Sequence, residues 1–244
     1  MLLSKENQRV PEANLTILKD GKIHLLDSKE LFEGRSVILF ALPGAYTPTC
    51  STTHVPGYSK YSKEFKKHGI DDILCLSVND CFVMDSWFKD QQADGVGYVA
   101  DGNGLFSEAM GMLIDKSELG FGKRSWRYSM LVRDGIIEKM FIEPEVEGDP
   151  FEVSDAETML KYLAPDYEKP KSITMLSKNG CGHCQRARTA LEEAGLNYEE
   201  VKLGEHGLSL SSLKALSGRE TTPQVFVDGK LIGGADETIE WLQS

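Results

Sequence analysis

Ser177-Lys178-Asn179-Gly180-Cys181-Gly182-His183-Cys184 decides how the second half of the chain folds. A short apolar run, Ile173-Thr174-Met175-Leu176, precedes it and reads as a strand. Gln185 to Ala194 follows, with Ala187, Ala190, Leu191 and Ala194 at helical spacing, and Gly195 stands where a helix-ending residue is wanted. Cys181 therefore falls where a strand turns into a helix. Free N–H groups and the helix dipole favour a thiolate there, and Lys178 adds a positive charge nearby. Two cysteines at this spacing in a strand–helix context point to a redox dithiol. The alternative, half of a zinc site, lacks a second ligand pair, because Cys75 and Cys81 do not have zinc spacing and the five histidines are scattered.

Thr221-Thr222-Pro223 precedes a second strand-like run, Gln224-Val225-Phe226-Val227, which ends in the turn Asp228-Gly229. Gly233-Gly234-Ala235-Asp236-Glu237 comes next. In this order the three motifs resemble the glutaredoxins, over about residues 171–244. The resemblance implies a nucleophilic Cys181, a second thiol at Cys184 and a cis-proline loop. It also implies a glutathione site lined by Lys178, His183, Thr222, Pro223, Gly234, Ala235 and Asp236. The backbone before Pro223 would pair with the cysteinyl part of glutathione as an added strand. Asp236 would accept from its γ-glutamyl ammonium, and helix N–H groups suit its carboxylate. One departure stands out: glutaredoxins usually carry Pro-Tyr or Pro-Phe between the cysteines, and this chain has Gly182-His183. A protonated His183 would favour the Cys181 thiolate further, whereas a neutral one would do little.

At 244 residues and 41% hydrophobic content the chain can form one or two domains with a buried core. No run approaches the ~18 apolar residues of a membrane span, and the N-terminal residues lack a basic start followed by an apolar core. Five cysteines without framework spacing suggest reactive thiols in a reducing compartment, and a cytoplasmic location is expected. The net charge of −11 argues against nucleic acid and anionic membranes as partners. Eight Lys and Arg against ten Asp and Glu give residues 171–244 a charge of −2 and leave −9 for the rest. The second part is thus the better host for an anionic tripeptide.

Upstream, Leu15-Lys19, Asp20-Gly21 and Lys22-Leu26 read as a hairpin, and Ser36-Leu42 as a buried central strand. A Lys-rich helix is expected from Cys50 to about His68, a strand over Ile73-Val78 and a helix from Phe82 to about Gln91. Gly95-Ala100 reads as a strand, and Trp126-Val132, Asp134-Gly135 and Ile136-Ile142 as the clearest hairpin. Ser154, with Glu157 at the capping-box position, is expected to cap a helix through Leu163. The expected divisions are a first domain over 1–164, a semi-rigid linker over 165–171 with two prolines, and a second domain over 172–244.

Cys50, like Cys181, follows an apolar strand and opens a helix. Pro43, Thr47 and Cys50 resemble the Pro-x-x-x-Thr-x-x-Cys signature of the peroxiredoxins. Ser77 to Met84, and Arg127 within Ser125-Trp126-Arg127-Tyr128, resemble the type-five (type II) class of that family, over about residues 5–163. The resemblance implies a Cys50 thiolate that attacks peroxide, with Thr47, Pro43 and Arg127 as its catalytic neighbours. Thr47 would turn its hydroxyl to sulfur and peroxide, and Pro43 would shield the site without offering an N–H. Arg127 would stabilise thiolate and developing alkoxide. On residue pattern alone Arg127 reads as a surface cation and Thr47 as a loop-capping hydroxyl. Cys75, inside an apolar strand, reads as a small hydrophobe; Cys81 and His54 carry no assigned role.

The expected fold class is α/β, with two thioredoxin-fold domains, one peroxiredoxin-type and one glutaredoxin-type, each a mixed sheet flanked by helices. The expected activity is glutathione-dependent reduction of hydrogen peroxide and alkyl hydroperoxides, with no metal and no tightly bound cofactor. A homodimer or tetramer is expected, because the eight-residue stretch from Ala164 to Lys171 extends at most ~3.3–3.6 Å per residue. Four alternatives stay open: a peroxide sensor or relay, a protein deglutathionylase with secondary peroxidase activity, reduction of Cys50 by a separate thioredoxin, and an iron–sulfur role with Cys181 and glutathione as ligands.

Overall fold

In the computed structural model, which describes residues 2–167, 169–205 and 207–244, the chain divides into two units, Met1–Tyr167 and Glu168–Ser244. Met1 of the expected first domain and Glu168 of the expected linker lie outside the described residues. The first unit runs β1 (Asn14–Lys19), β2 (Lys22–Asp27), α1 (Ser28–Phe32), β3 (Ser36–Ala41), a π-helical turn (Cys50–His54) that continues into α2 (Val55–Lys67), β4 (Asp72–Ser77), α3 (Cys81–Gln91), β5 (Gly97–Ala100), α4 (Leu105–Ala109), β6 (Leu113–Asp115), β7 (Lys123–Ser125), β8 (Tyr128–Arg133), β9 (Ile136–Ile142) and α5 (Ala156–Leu163). The second runs β10 (Ile173–Ser177), α6 (Gly182–Glu193), β11 (Glu199–Lys202), α7 (Leu210–Ser217), β12 (Gln224–Val227), β13 (Lys230–Gly233) and α8 (Ala235–Gln243).

The first sheet has the order β2-β1-β5-β4-β3-β8-β9, with β3, β4 and β5 parallel and the remaining pairs antiparallel. The apolar run of β3 is explained by its position, since both its faces are covered. Ile38 and Phe40 point to a core with Tyr58 and Phe65 of α2, Trp87 of α3 and Met159 of α5. Val37, Leu39 and Ala41 point the other way, to Phe32 of α1 and Phe106 of α4. This is the period-2 alternation of a strand with helices on both sides. The hairpin turn between β1 and β2 uses Asp20 and Gly21 at φ 51° and 71°, the left-handed pair that a two-residue turn requires.

The second sheet has the order β11-β10-β12-β13, with β10 and β11 parallel and the others antiparallel. Ile173, Met175, Val225 and Val227 pack beneath Ala187 and Leu191 of α6 and Ala235 of α8. Both units are therefore mixed sheets flanked by helices.

Three local expectations are corrected. The strand expected from Trp126 begins at Tyr128, and Arg127 sits just before it. The helix after Val153 is capped by Asp155, whose carboxylate accepts from the N–H groups of Glu157 and Thr158. Ser154 instead donates its hydroxyl to Glu143 Oε1 at 2.7 Å, and a buried carboxylate outcompetes a helix end for that donor. The helix expected from Cys50 opens with a π-turn, in which Val55 N–H bonds the Cys50 carbonyl. Among the described residues no helix is long and apolar enough to cross a membrane.

Candidate active sites

The carboxyl ends of β3 and β4 set the first site, the usual place for chemistry on a sheet with parallel strands. After β3 the chain turns through Pro43–Thr47 and enters the helical segment that holds Cys50. Asn79, just beyond β4, fixes this turn: its Oδ1 accepts from Ala45 N–H at 3.1 Å and from Ser77 Oγ at 2.8 Å. Antiparallel pairing of Ala41 with Tyr128 brings Arg127, just before β8, beside the end of β3. A residue far away in sequence thereby reaches Cys50.

Cys50 is fully buried and Arg127 is 1% exposed. Arg127 Nη2 donates to Cys50 Sγ at 3.5 Å and to Asp149 Oδ1 at 2.5 Å, while Nη1 lies 3.1 Å from His54 Nδ1. Burial opposes the guanidinium charge, but the Cys50 sulfur and Asp149 outweigh it and raise its pKa above the ordinary value. The Phe151 ring stands 5.6 Å from the guanidinium carbon, within cation–π range. Glu143 ties the segment carrying these groups to the end of β9. Its buried carboxylate accepts the backbone N–H groups of Glu152, Val153 and Ser154 as well as the Ser154 hydroxyl. Pro43, Thr47, Pro48 and Thr49 line a largely apolar cleft of ≈ 260 Å³ together with Leu119, Phe121 and Asp149. The Thr47 hydroxyl donates to the Gly44 carbonyl at 2.8 Å. Its hydrogen bond is thus the loop-capping one, although it stands in the cleft wall.

In the second unit Cys181 is the N-cap of α6, and its sulfur accepts the Cys184 N–H at 3.2 Å. The Thr222 hydroxyl lies 3.5 Å from the same sulfur, on the loop where the Thr222–Pro223 peptide is cis. Burial raises the Cys181 pKa, but hydrogen bonds from Cys184 and Thr222 and the charge of Lys178 prevail, and the net shift is downward. Cys184, 1% exposed, is pushed up by burial and by its bond to Cys181. The two thiols are thus differentiated, the thiolate being favoured at Cys181 and the thiol at Cys184. A cleft of ≈ 400 Å³ beside Cys181 is lined by Lys178, Gln185, Arg188 and Lys202 among others.

Two family models match the chain, Redoxin over residues 5–160 and Glutaredoxin over residues 173–232. Hybrid peroxiredoxin hyPrx5 of Haemophilus influenzae is 51% identical over 234 residues, covering 96% of this chain and 97% of that protein. The chain belongs to the peroxiredoxin–glutaredoxin fusions.

This fusion is a thiol peroxidase with an attached glutaredoxin domain, and such domains need no tightly bound cofactor. A peroxiredoxin of Synechocystis is 57% identical over 151 residues, 59% of this chain and 80% of its own. The crystal structure of reduced Prx3 in complex with H2O2 from Vibrio vulnificus superposes with a TM-score of 0.63 at 39% identity, covering 66% of the fusion and 99% of that chain.

The structure brings most of the sequence-derived site residues together. Pro43, Thr47, Cys50 and Arg127 gather in the first unit. In the second, Gly234 lies against the Pro223 loop: a Cβ there would stand 3.7 Å from the Pro223 carbonyl. Gly234 caps α8, Ala235 is buried and Asp236 lies in the first turn. Asp236 is paired with Arg186 at 2.7 Å, in an ion pair exposed on both sides and so easily displaced by a ligand. His183 is exposed and is not among the groups that hold the Cys181 sulfur.

Sequence reasoning missed Asp149, Glu143, Arg188 and Lys202, and left His54 without a role. Two of these had a signal. Arg188 is one helical turn beyond Cys184, on the same face. Lys202 pairs in parallel register with Ser177, so it shares a sheet edge with the dithiol.

The fusion's Cys181 should keep its thiolate to lower pH than a free cysteine, because its pKa is depressed; reactivity then falls as the pH drops through that depressed value. Iodoacetamide alkylation followed against pH in a Cys50→Ser background measures this. Thr222→Val, which removes one donor to the sulfur, is expected to move the profile back up.

Proposed function

We propose that the protein is a glutathione-dependent peroxidase that reduces hydrogen peroxide and alkyl hydroperoxides. The Cys50 thiolate attacks the terminal peroxide oxygen, the O–O bond breaks, and sulfenic acid forms with release of water or an alcohol. Arg127, buried and cationic beside the sulfur, faces the charge that develops on the leaving oxygen. The apolar cleft of Leu119, Phe121 and Pro48 favours alkyl chains as well as hydrogen peroxide. Glutathione condenses with the sulfenic acid, expelling water. Cys181 then attacks the glutathione sulfur and frees Cys50. A second glutathione releases the disulfide from Cys181, or Cys184 closes onto it first.

The observation that carries the glutathione assignment is the cleft of Lys178, Arg188 and Lys202 beside a thiol with a depressed pKa. It offers cations to an anionic tripeptide next to the sulfur that must accept its thiol. A reducing setting such as the cytoplasm, and a homo-oligomer in which one subunit's glutaredoxin domain serves a neighbour's Cys50, complete the reading. Tethering would supply an effective concentration of about millimolar.

Hydrogen peroxide consumption driven by glutathione, glutathione reductase and NADPH tests the proposal. Turnover with glutathione well above that with thioredoxin and its reductase is expected. The reverse ranking, or no turnover with glutathione, would overturn it.

The exposed ion pair at Asp236 and the open cleft also favour a second use, release of glutathione from other proteins. A glutathionylated peptide in the same coupled assay reads this out.

A further inference from the structure

His54 is a buried ionisable group in contact with the Arg127 guanidinium, and the reaction above does not use it. It is 1% exposed and enclosed by rings, with the Phe40 centroid at 4.8 Å, Phe151 at 4.9 Å and Tyr58 at 5.7 Å. Its two nitrogens have partners of opposite kind. Nε2 lies 3.2 Å from the Ser154 carbonyl, which can only accept. Nδ1 lies 3.1 Å from Arg127 Nη1, which can only donate. The partners therefore fix one tautomer, with the proton on Nε2 and a bare Nδ1. Burial and the Arg127 charge hold the imidazole well below its ordinary pKa, against the smaller effect of the Ser154 carbonyl. The ring stays neutral.

Arg127 is pulled from two sides. Asp149, whose side chain is 43% exposed and lines the cleft, holds the guanidinium from that side. On the inner side the partners are the Cys50 sulfur at 3.5 Å and the imidazole. The Arg127 Nε has no partner among the described residues, so orientation rests on the two Nη groups. With Asp149 already paired to Arg127, a second carboxylate in place of His54 would hold the guanidinium but cancel the charge that faces the sulfur. A neutral acceptor holds it and leaves its charge for the sulfur and the leaving oxygen. The π-turn belongs to this arrangement: Cys50 and His54 begin and end it, and both contact the same guanidinium.

We propose that His54 is a positioning residue of the peroxidase reaction, whose bare Nδ1 holds Arg127 against the Cys50 sulfur without quenching its charge. The inference rests on Cys50 as the peroxide-reducing thiol. That premise fails separately, if the protein with His54 intact takes up no peroxide at all.

The test uses the full chain with Cys181→Ser and Cys184→Ser, so that Cys50 is the reactive thiol. Its oxidation by hydrogen peroxide is followed by the fluorescence of Trp87, whose indole N–H bonds Ser51 Oγ at 3.0 Å. Its alkylation by iodoacetamide is followed against pH. His54→Leu occupies the space but accepts nothing. His54→Gln offers a carbonyl and an N–H at about the spacing of the ring nitrogens. His54→Leu is expected to slow peroxide oxidation by about 10- to 100-fold, the loss of one hydrogen bond to a charged group, and to move the alkylation profile to higher pH. His54→Gln is expected to restore most of both. A His54→Leu protein that reacts like the parent, or a folded His54→Gln protein as slow as His54→Leu, would overturn the proposal. If His54→Leu fails to fold, His54→Gln decides alone: near-parental rate and pH profile support a positioning role, and a slow, natively melting protein refutes it.

Discussion

Cys50→Ser is expected to abolish peroxide consumption, and Cys181→Ser is expected to abolish glutathione-driven turnover while leaving a single oxidation of Cys50 intact. The difference follows from what each sulfur meets. Cys50 is fully buried under a guanidinium, and the neighbouring Cys75 is poorly suited to replace it. Cys75 sits inside β4, and burial, with the Cys50 sulfur adding to it, pushes its pKa well above the ordinary value. A serine hydroxyl at position 50 would remain protonated and unreactive towards peroxide. In the proposed relay Cys181 acts only after sulfenic acid has formed, so its loss should spare the first step and stall the second. Rapid mixing of Cys181→Ser with one equivalent of peroxide should show complete oxidation of Cys50. The coupled NADPH assay on the same protein should then show no sustained rate. A Cys181→Ser protein that turns over like the wild type would make the glutaredoxin domain dispensable and end the relay.

Arg127→Leu is expected to lower the rate of Cys50 oxidation by about 10²–10³-fold, the usual cost of removing one preorganised donor from developing negative charge. The substitution acts on three partners at once. Cys50 loses its cation, His54 loses the donor to Nδ1, and Asp149 loses its ion pair. Asp149 is partly exposed and can turn to water, so the fold should tolerate the change, as a thermal melt would verify. Arg127→Lys should recover only part of the rate, because an ammonium on a flexible stem cannot reproduce the forked contact to sulfur and imidazole together. A wild-type rate in Arg127→Leu would remove Arg127 from the chemistry and leave it a structural role.

The parts of the fold that were legible in sequence are those whose residues repeat a simple period. β3 is a continuous apolar run because both its faces are covered, and the Asp-Gly turns announce their hairpins. The helix carrying Cys181 has alanines and leucine at its buried positions and Gly195 just past its end. Other elements escaped notice although their signals were present. α7 has Ser209 and Ser212 as a capping box and Gly218 beyond its last turn, but it exposes Leu210 and Leu216, which blurs the apolar stripe. β6 and β7 are three residues each, too short for any period to show.

The sites divide in the same way. Cys50 and Cys181 were legible because a cysteine between a strand and a helix has a physical meaning of its own. Arg127 was legible only through the family resemblance, because the register of β8 against β3 is what brings it to the sulfur. Glu143 had no signature at all, since three of its four donors are backbone N–H groups, which every sequence has. Ser154 and Asp155 are adjacent and both suit a helix cap; only the position of Glu143 decides between them.

Glu143 has a further consequence for how the enzyme ages in use. Peroxide is small, but glutathione, the proposed reductant, is a tripeptide, and a sulfur with no exposed surface must be uncovered before a tripeptide can reach it. The segment from Asp149 to Ser154 covers the Arg127 and His54 side of that sulfur and is pinned by four hydrogen bonds to one carboxylate. Opening is therefore a local unfolding event with its own free energy. While the segment stays closed, sulfenic acid remains within reach of a second peroxide and out of reach of its reductant. On the proposed glutathione-dependent route, the strength of the Glu143 clamp would thus set the peroxide dose at which Cys50 passes irreversibly to sulfinic acid.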